Sequence, residues 1–324
     1  MSTLASRLGA RVLYPRYEYA LGLWVIVSYF NPCGYKNRRK NHDIFVQSMR
    51  SAGIPLLIIE CAFGNASFQL PESIDTVQIR SESVMWQKER MLNLAASWLP
   101  PECTAVAWLD ADILFMNAQW AKDTMRLLQT HSVVQVFETA VRLEEGNVMG
   151  PQADTVSSFG AVAPHRLHLL SCGRYDQHGH TGYGWAMRRE IFDEVGLYEY
   201  AISGSADHFM AHAIYGDMDG FCIQSVLGKS PPQLACLKTW SEKFHAKVKG
   251  SFTAVPGQIV HLWHGELKHR RYYQRMLEIN SLGFNPYTDI LSLPGKPLEW
   301  HPEMDKPTLR NYFVEHFKGR KEDG

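Results

Sequence analysis

Thr104-Ala-Val-Ala-Trp-Leu-Asp-Ala-Asp-Ile-Leu-Phe115 is an apolar run rich in β-forming residues, interrupted only by two carboxylates one residue apart. Such a run reads as a buried strand reaching the edge of a sheet, with Asp110 and Asp112 at its end. Residues two apart on an extended chain point to one side, so both carboxylates can face a single hard cation or polar pocket. Burying unpaired charge is costly on the scale of a domain's whole stability. The competing reading is a capped strand end, in which either aspartate serves a following turn. The flanking elements separate the two.

Upstream, residues 23–30 read as the first strand, closed by the turn Asn31-Pro32-Cys33-Gly34. A basic polar loop over 35–42 is expected next. Ile44, Phe45, Ser48, Met49 and Ala52 then recur at helical spacing, and Gly53 stops that helix before a second strand over 54–60. This is a βαβ unit, in which ligands collect beyond the strand C-termini. Asn31, Arg38 and Glu60 therefore sit near a candidate crevice. A short third strand covers 77–79, and Met91, Leu94, Ala95 and Trp98 mark a helix over 85–99. In its first turns Lys88 reads as facing the site and Glu89 as part of a solvated face.

Downstream, Ala121, Thr124, Met125 and Leu128 predict a helix and residues 132–137 a strand, so the chain to this point is regular α/β. Over 138–176 Gly146, Gly150, Pro151 and Gly160 break the periodicity, which predicts loops and short strands covering the crevice. The turn Gly182-Tyr-Gly-Trp185 presents Trp185 either as a platform for a sugar or base or as a buried aromatic. Asp207 opens a helix that Phe209, Met210, Ala213 and Ile214 turn toward the core; its alternative use is as a cap. His212 is read as packing. His261 and His264 lie in a short strand ending at Gly265, followed by a basic helix over 266–282 with Lys268, Arg270, Arg271 and Arg275. Imidazole can ligate a metal, and the cations can hold phosphate. In a regular strand, residues three apart point to opposite faces, so one of the two histidines is expected to reach the metal.

Lys plus Arg and Asp plus Glu both number 33, giving a formal net charge of +0, so no global field points to nucleic acid or an anionic membrane. Hydrophobic residues make up 45% of the 324, enough for a full core. Cysteines 33, 61, 103, 172, 222 and 236 show no zinc or disulfide spacing, and a reduced, cytoplasmic setting is expected. Arg7, Arg11 and Arg16 ahead of the apolar residues 20–30 imitate a signal peptide. Tyr17, Glu18 and Tyr19, and the want of a small-residue cleavage site, favour a buried strand there instead. No apolar run is long enough for an integral membrane segment.

Taken in order, the Trp-Leu-Asp110-Ala-Asp112 strand, the Gly182-Tyr-Gly-Trp185 turn, Gly204-x-x-Asp207 and His261-x-x-His264-Gly265 resemble the nucleotide-sugar-dependent glycosyltransferases of the GT-A fold, most like family 2 and its relatives. The resemblance implies a Rossmann-like mixed sheet flanked by helices over 22–282, with a nucleotide-binding half (22–137) and an acceptor and catalytic half (138–282). An N-terminal extension (1–21) and a C-terminal helical extension (283–324) flank it. It implies Mn²⁺ or Mg²⁺ held by Asp112, with Asp110 reaching the ribose or metal and His264 or His261 completing the shell. It further implies that Tyr29, Asn31, Arg38 and Glu60 frame the base, that Lys88 lies near the nucleotide, and that Trp185, Lys268 and Arg270 contribute to donor binding. The partners implied are a nucleotide-sugar donor, UDP-linked by preference, and a carbohydrate or other hydroxyl acceptor. Asp207 is the expected general base of an inverting transfer. The sequence departs from family 2 in carrying Glu60 where an Asp pair is common and in having no Gln-x-x-Arg-Trp motif. Processive polysaccharide synthesis is therefore not expected.

Three other readings compete. A nucleotidyltransferase shares the α/β plan, but its glycine-rich basic loop would follow the first strand, where only Gly34 occurs. A metal-dependent hydrolase would use Asp110, Asp112, His261 and His264. A non-catalytic carbohydrate-binding protein would keep the fold alone.

Overall fold

The computed structural model describes residues 22–150, 154–168 and 177–324. The expected N-terminal extension and parts of the 138–176 segment lie outside them. The organising element is a seven-stranded sheet of order β10-β6-β9-β4-β1-β2-β3, built from β1 (Leu23–Tyr29), β2 (Leu56–Phe63), β3 (Thr76–Ser81), β4 (Ala105–Leu109), β6 (Val133–Gln135), β9 (Gly184–Arg188) and β10 (Phe252–Ala254). Only β9 runs antiparallel to its neighbours, β4 and β6. This is the mixed, helix-flanked sheet that the GT-A resemblance implies.

The central strands β1 and β4 are almost continuously apolar because both faces are covered. Along β1, Leu23, Val25, Val27 and Tyr29 enter one core with Phe45 and Met49. Trp24 and Ile26 enter the other with Met91 and Phe209. Helices α1 (Lys36–Ser51), α2 (Lys88–Ala96), α3 (Trp120–Leu127) and α4 (Arg189–Val195) follow β1, β3, β5 (Ile113–Phe115) and β9 in sequence. α5 (Ala206–Ile214), α6 (Phe221–Leu227), α7 (Pro231–Val248) and α8 (Tyr272–Ser281) form the second half.

Two sequence expectations change here. α1 begins at Lys36, inside the segment read as a loop. Its first amides, those of Lys36 and Asn37, donate to the Asp323 carboxylate at 2.9 and 2.8 Å, a tertiary cap supplied from the far end of the chain. The apolar run at 104–115 is also not one strand. β4 stops at Leu109, and β5 (Ile113–Phe115) belongs to a second sheet of order β5-β11-β7-β8 with β7 (Thr139–Arg142), β8 (Asp154–Ser157) and β11 (Gln258–His261). Asp110, Ala111 and Asp112 make the turn between the sheets.

The tail packs back on the molecule. The hairpin β12 (Ile290–Ser292) and β13 (Leu298–Trp300) and helix α9 (Pro307–Gly319) close a third core around Phe284, Leu298, Leu309 and Phe313. No helix among the described residues is long and apolar enough to cross a membrane.

Candidate active site

Beyond the C-terminal ends of β1 and β4 lies a cleft of about 500 Å³, lined in part by Tyr29, Arg38, Lys88, Asp110, Asp112 and Asp207. His261, His264 and Arg270 also line it.

Asp112 is fixed by the second sheet. Its carbonyl accepts from the Leu262 amide at 2.8 Å, and the next residue, Ile113, pairs with His261. β11 ends at His261, so the chain is free to turn and bring His264 to the same side. The expectation that only one of the two histidines reaches Asp112 is therefore corrected. His261 Nε2 and His264 Nε2 stand 3.1 Å apart, and they lie 3.7 and 3.1 Å from Asp112 Oδ1 and Oδ2. The three residues offer ligand atoms all within 4.8 Å of one another.

Asp112 Oδ1 is buried and has no hydrogen-bond partner among the described residues. Burial works against the charge of Asp112, but His264, His261 and Arg270 hold its carboxyl well below the usual range. Burial, against the pull of Asp112, takes His261 down to about 3, which leaves a neutral imidazole. One orphaned carboxylate oxygen and two imidazole nitrogens fit a divalent first-row cation such as Mn²⁺, and suit Mg²⁺ less well.

Asp110 turns elsewhere. Its carboxylate is 2.8 Å from Lys88 Nζ, which also lies 3.0 Å from Asp207 Oδ2. The two aspartates of the turn therefore divide between the histidine pair and the lysine, because they sit in a turn and do not share one strand face. Burial opposes the charge on Lys88, but Asp110 and Asp207 outweigh it and hold the ammonium well above its ordinary value. Burial, against the pull of Lys88, pushes Asp110 up. Glu89, read as solvent-facing, is buried at 4% exposure, and burial takes its carboxyl up to about 8. α2 packs against β1 and β2, and Lys88 in its first turn meets Asp207 on α5.

Four expected site residues lie elsewhere. Glu60 is buried and accepts from the Leu70 amide and Gln78 Nε2, anchoring the 64–70 loop. Asn31 is spent on Gln69 and the Tyr35 carbonyl. Trp185 is 0% exposed in the core, and its indole N–H donates to the Thr181 carbonyl at 2.8 Å. Tyr183, just ahead of β9 at positive φ, breaks the strand alternation and lines the wall instead. Lys268 is exposed and does not line the cleft.

Of the cations the sequence offers for phosphate, Arg275 joins Arg270 in lining the cleft; the sequence reading misses Tyr272, Tyr273 and Glu322. Arg275 Nη2 donates to Ser205 Oγ at 2.9 Å, its Nε is buried without a partner among the described residues, and burial lowers it to about 10. Gly204, at φ +86°, makes room for it: a Cβ there would stand 2.9 Å from Arg275 Nη2. Tyr183 and Ser205, both on the cleft wall, also hold positive φ, a conformation costing roughly 1–3 kcal/mol each in a non-glycine residue. Tyr272 and Tyr273 are half-exposed at the rim. From the tail, Glu322 accepts from Arg38, Arg270 and Arg320 at 3.2, 3.1 and 2.6 Å. Burial opposes its charge, but Arg38 and Arg320 outweigh that and hold it well below the usual range. Its other oxygen is 3.8 Å from His264 Nδ1. Arg270, which Glu322 holds, donates from Nη2 to His264 Nδ1 and to the His264 carbonyl and so fixes the ring. No signal in the terminal Lys-Glu-Asp-Gly distinguished Glu322 from a solvated end.

Fold and site together define an α/β protein with a cation-ready cluster at the strand ends of a mixed sheet. By sequence, neither a known family nor a curated protein matches the chain. Among solved structures, it is similar to the Drosophila β1,4-galactosyltransferase 7 in complex with manganese, UDP-Gal and xylobiose, at 9% identity over 89% of this chain and 98% of that one, with a TM-score of 0.40. It is similar to mannosyl-3-phosphoglycerate synthase from Rubrobacter xylanophilus at 11% identity, over 88% of each chain, TM-score 0.40. It is also similar to 4-diphosphocytidyl-2C-methyl-D-erythritol synthase from Anaerococcus prevotii at 10% identity, over 74% and 90%, TM-score 0.34. The functional reading below rests on the geometry of the cleft.

Proposed function

We propose that the protein is a metal-dependent, inverting glycosyltransferase that moves a sugar from a nucleotide-diphosphate sugar, UDP-linked in the first instance, to an acceptor hydroxyl. The observation that supports this reading is one cleft holding both a cation-ready cluster, Asp112, His261 and His264, and a separate carboxylate, Asp207, fixed through Lys88.

The two sets of groups have distinct work. Asp112, His261 and His264 would hold Mn²⁺ or Mg²⁺, which when bound supplies positive charge against the departing diphosphate. Arg275, with a buried donor still unspent, is placed to hydrogen-bond phosphate oxygens in charge-assisted fashion. Lys88 ties Asp207 to Asp110 and so sets the position of the Asp207 carboxylate. Asp207 then takes the proton of the acceptor hydroxyl as that oxygen bonds to the sugar carbon, a contribution typically worth about 10²–10⁴-fold. Attack from the face opposite the diphosphate inverts the anomeric carbon. Tyr272 and Tyr273 at the rim offer stacking faces to sugar or base.

The test is a thermal-shift and calorimetric screen of nucleotides and nucleotide sugars with and without Mn²⁺. Binding of a native-state ligand raises the unfolding temperature by mass action. The reading requires a nucleotide sugar whose shift depends on the cation. Equal binding of UDP with and without Mn²⁺ would count decisively against it.

A further inference from the structure

A second constellation of metal-ligand side chains lies in the interior. His178, from the loop ahead of β9, His208 and His212 on α5, and Cys222 in the first turn of α6 are all buried. One ligand-capable atom from each lies within 4.8 Å of the other three. Cys222 Sγ is 3.7 Å from His178 Nε2. His208 and His212, four apart, share a face of α5.

The outward nitrogens are already committed. His178 Nδ1 is 3.0 Å from the Gly179 carbonyl, and His212 Nδ1 is 2.9 Å from Asp217 Oδ2. His212 is 0% exposed, and its Nε2 has no hydrogen-bond partner among the described residues. An imidazole anchored by a carboxylate on one nitrogen and turned inward on the other is the usual arrangement of a metal-ligating histidine. Three imidazoles and a thiol are costly to desolvate together without such a use, and leucine or methionine would fill the space.

We propose that His178, His208, His212 and Cys222 bind one structural zinc-class ion, separate from the Asp112 cluster. Nitrogen and sulfur donors in fourfold array select Zn²⁺ over Mg²⁺ and Mn²⁺. Ligands at about 2.0–2.3 Å from a tetrahedral metal stand roughly 3.3–3.8 Å apart, so the Cys222–His178 spacing already matches and the rest, within 4.8 Å, close by about 1.5 Å or less. On binding, the Cys222 thiol gives its proton to solvent and its sulfur enters as thiolate, while the imidazoles enter neutral. The ion joins three segments at the back of the cleft, whose wall includes Gly179 and His208. It thereby braces α5, on which Asp207 stands. Cysteine spacing in the sequence carries no trace of the site, because one sulfur and three dispersed imidazoles meet only through the fold.

The test uses the full chain expressed with zinc supplied, dialysed against EDTA and analysed by elemental mass spectrometry. The expected result is about one zinc retained per chain in the wild type and in Asp112→Ala, falling to near zero in Cys222→Ala. Reloading with Co²⁺ should give tetrahedral bands and a thiolate charge-transfer band in the wild type and in Asp112→Ala. Should Cys222→Ala not fold, the wild-type Co²⁺ spectrum still decides. A wild type that retains no zinc and takes Co²⁺ without the thiolate band would overturn the proposal, as would a folded Cys222→Ala that keeps the wild-type zinc.

Discussion

Lys88 Nζ lies 3.0 Å from Asp207 Oδ2, across 119 residues of sequence. This contact ties the start of α2 to the start of α5 at the mouth of the sheet. Because Lys88 also holds Asp110, the carboxylate proposed as base is positioned relative to the turn that carries Asp112.

For that reason Asp207→Asn is expected to leave Mn²⁺ and donor binding near wild type in calorimetry while lowering kcat by about 10²–10⁴-fold. Full turnover in the variant would remove Asp207 from the role.

His261→Ala and His264→Ala should each weaken Mn²⁺ binding. Loss of an outer-shell partner alone costs roughly 10–100-fold in metal affinity, so loss of a direct ligand should cost at least that. A Mn²⁺ titration in which either variant matched the wild type would reduce the cluster to one histidine, as a regular strand would have required.

Glu322→Ala leaves the guanidinium groups of Arg38, Arg270 and Arg320 without their common carboxylate. Breaking a buried pair from one side costs roughly 3–5 kcal/mol, to be read from denaturant unfolding. The same variant should bind Mn²⁺ more weakly, because Arg270, which fixes His264, loses the carboxylate that holds it. Unchanged stability would mean that the tail is not seated in solution.

Arg275→Ala should raise the Kd for UDP about 10–100-fold, the equivalent of a charged hydrogen bond worth about 1.5–3 kcal/mol. Its effect on Mn²⁺ binding in the absence of nucleotide should be small. An unchanged Kd for UDP would place the phosphates elsewhere in the cleft.

His316 gives a pH dependence. Its Nε2 is buried without a partner among the described residues; burial first, then Arg275 and Arg320, bring it down to about 3 from an ordinary 6.5. The folded chain thus resists a proton that the unfolded chain accepts. The contribution of the neutral ring is complete above pH 6.5 and is lost as pH falls toward 3. In His316→Gln the unfolding temperature should fall less steeply between pH 6.5 and 4 than in the wild type. Parallel profiles would show that the ring does not titrate with unfolding.

The sequence alone established the α/β alternation and the βαβ start, and singled out Asp110, Asp112, Asp207, His261 and His264, which the fold brings to one cleft, because local periodicity, turn residues and the scarcity of buried carboxylates are all written along the chain. It could not show that β4 ends at Leu109, since a run divided between two sheets has the same apolar composition as one strand. Nor could it place Glu60 and Trp185 inside the protein, because strand alternation identifies a face but not what covers it. Arg275 and Glu322, and the meeting of His178 and Cys222 with α5, depended on contacts between segments tens to hundreds of residues apart. Such contacts are selected by how helices and tail pack on the sheet, and packing leaves no local pattern to read.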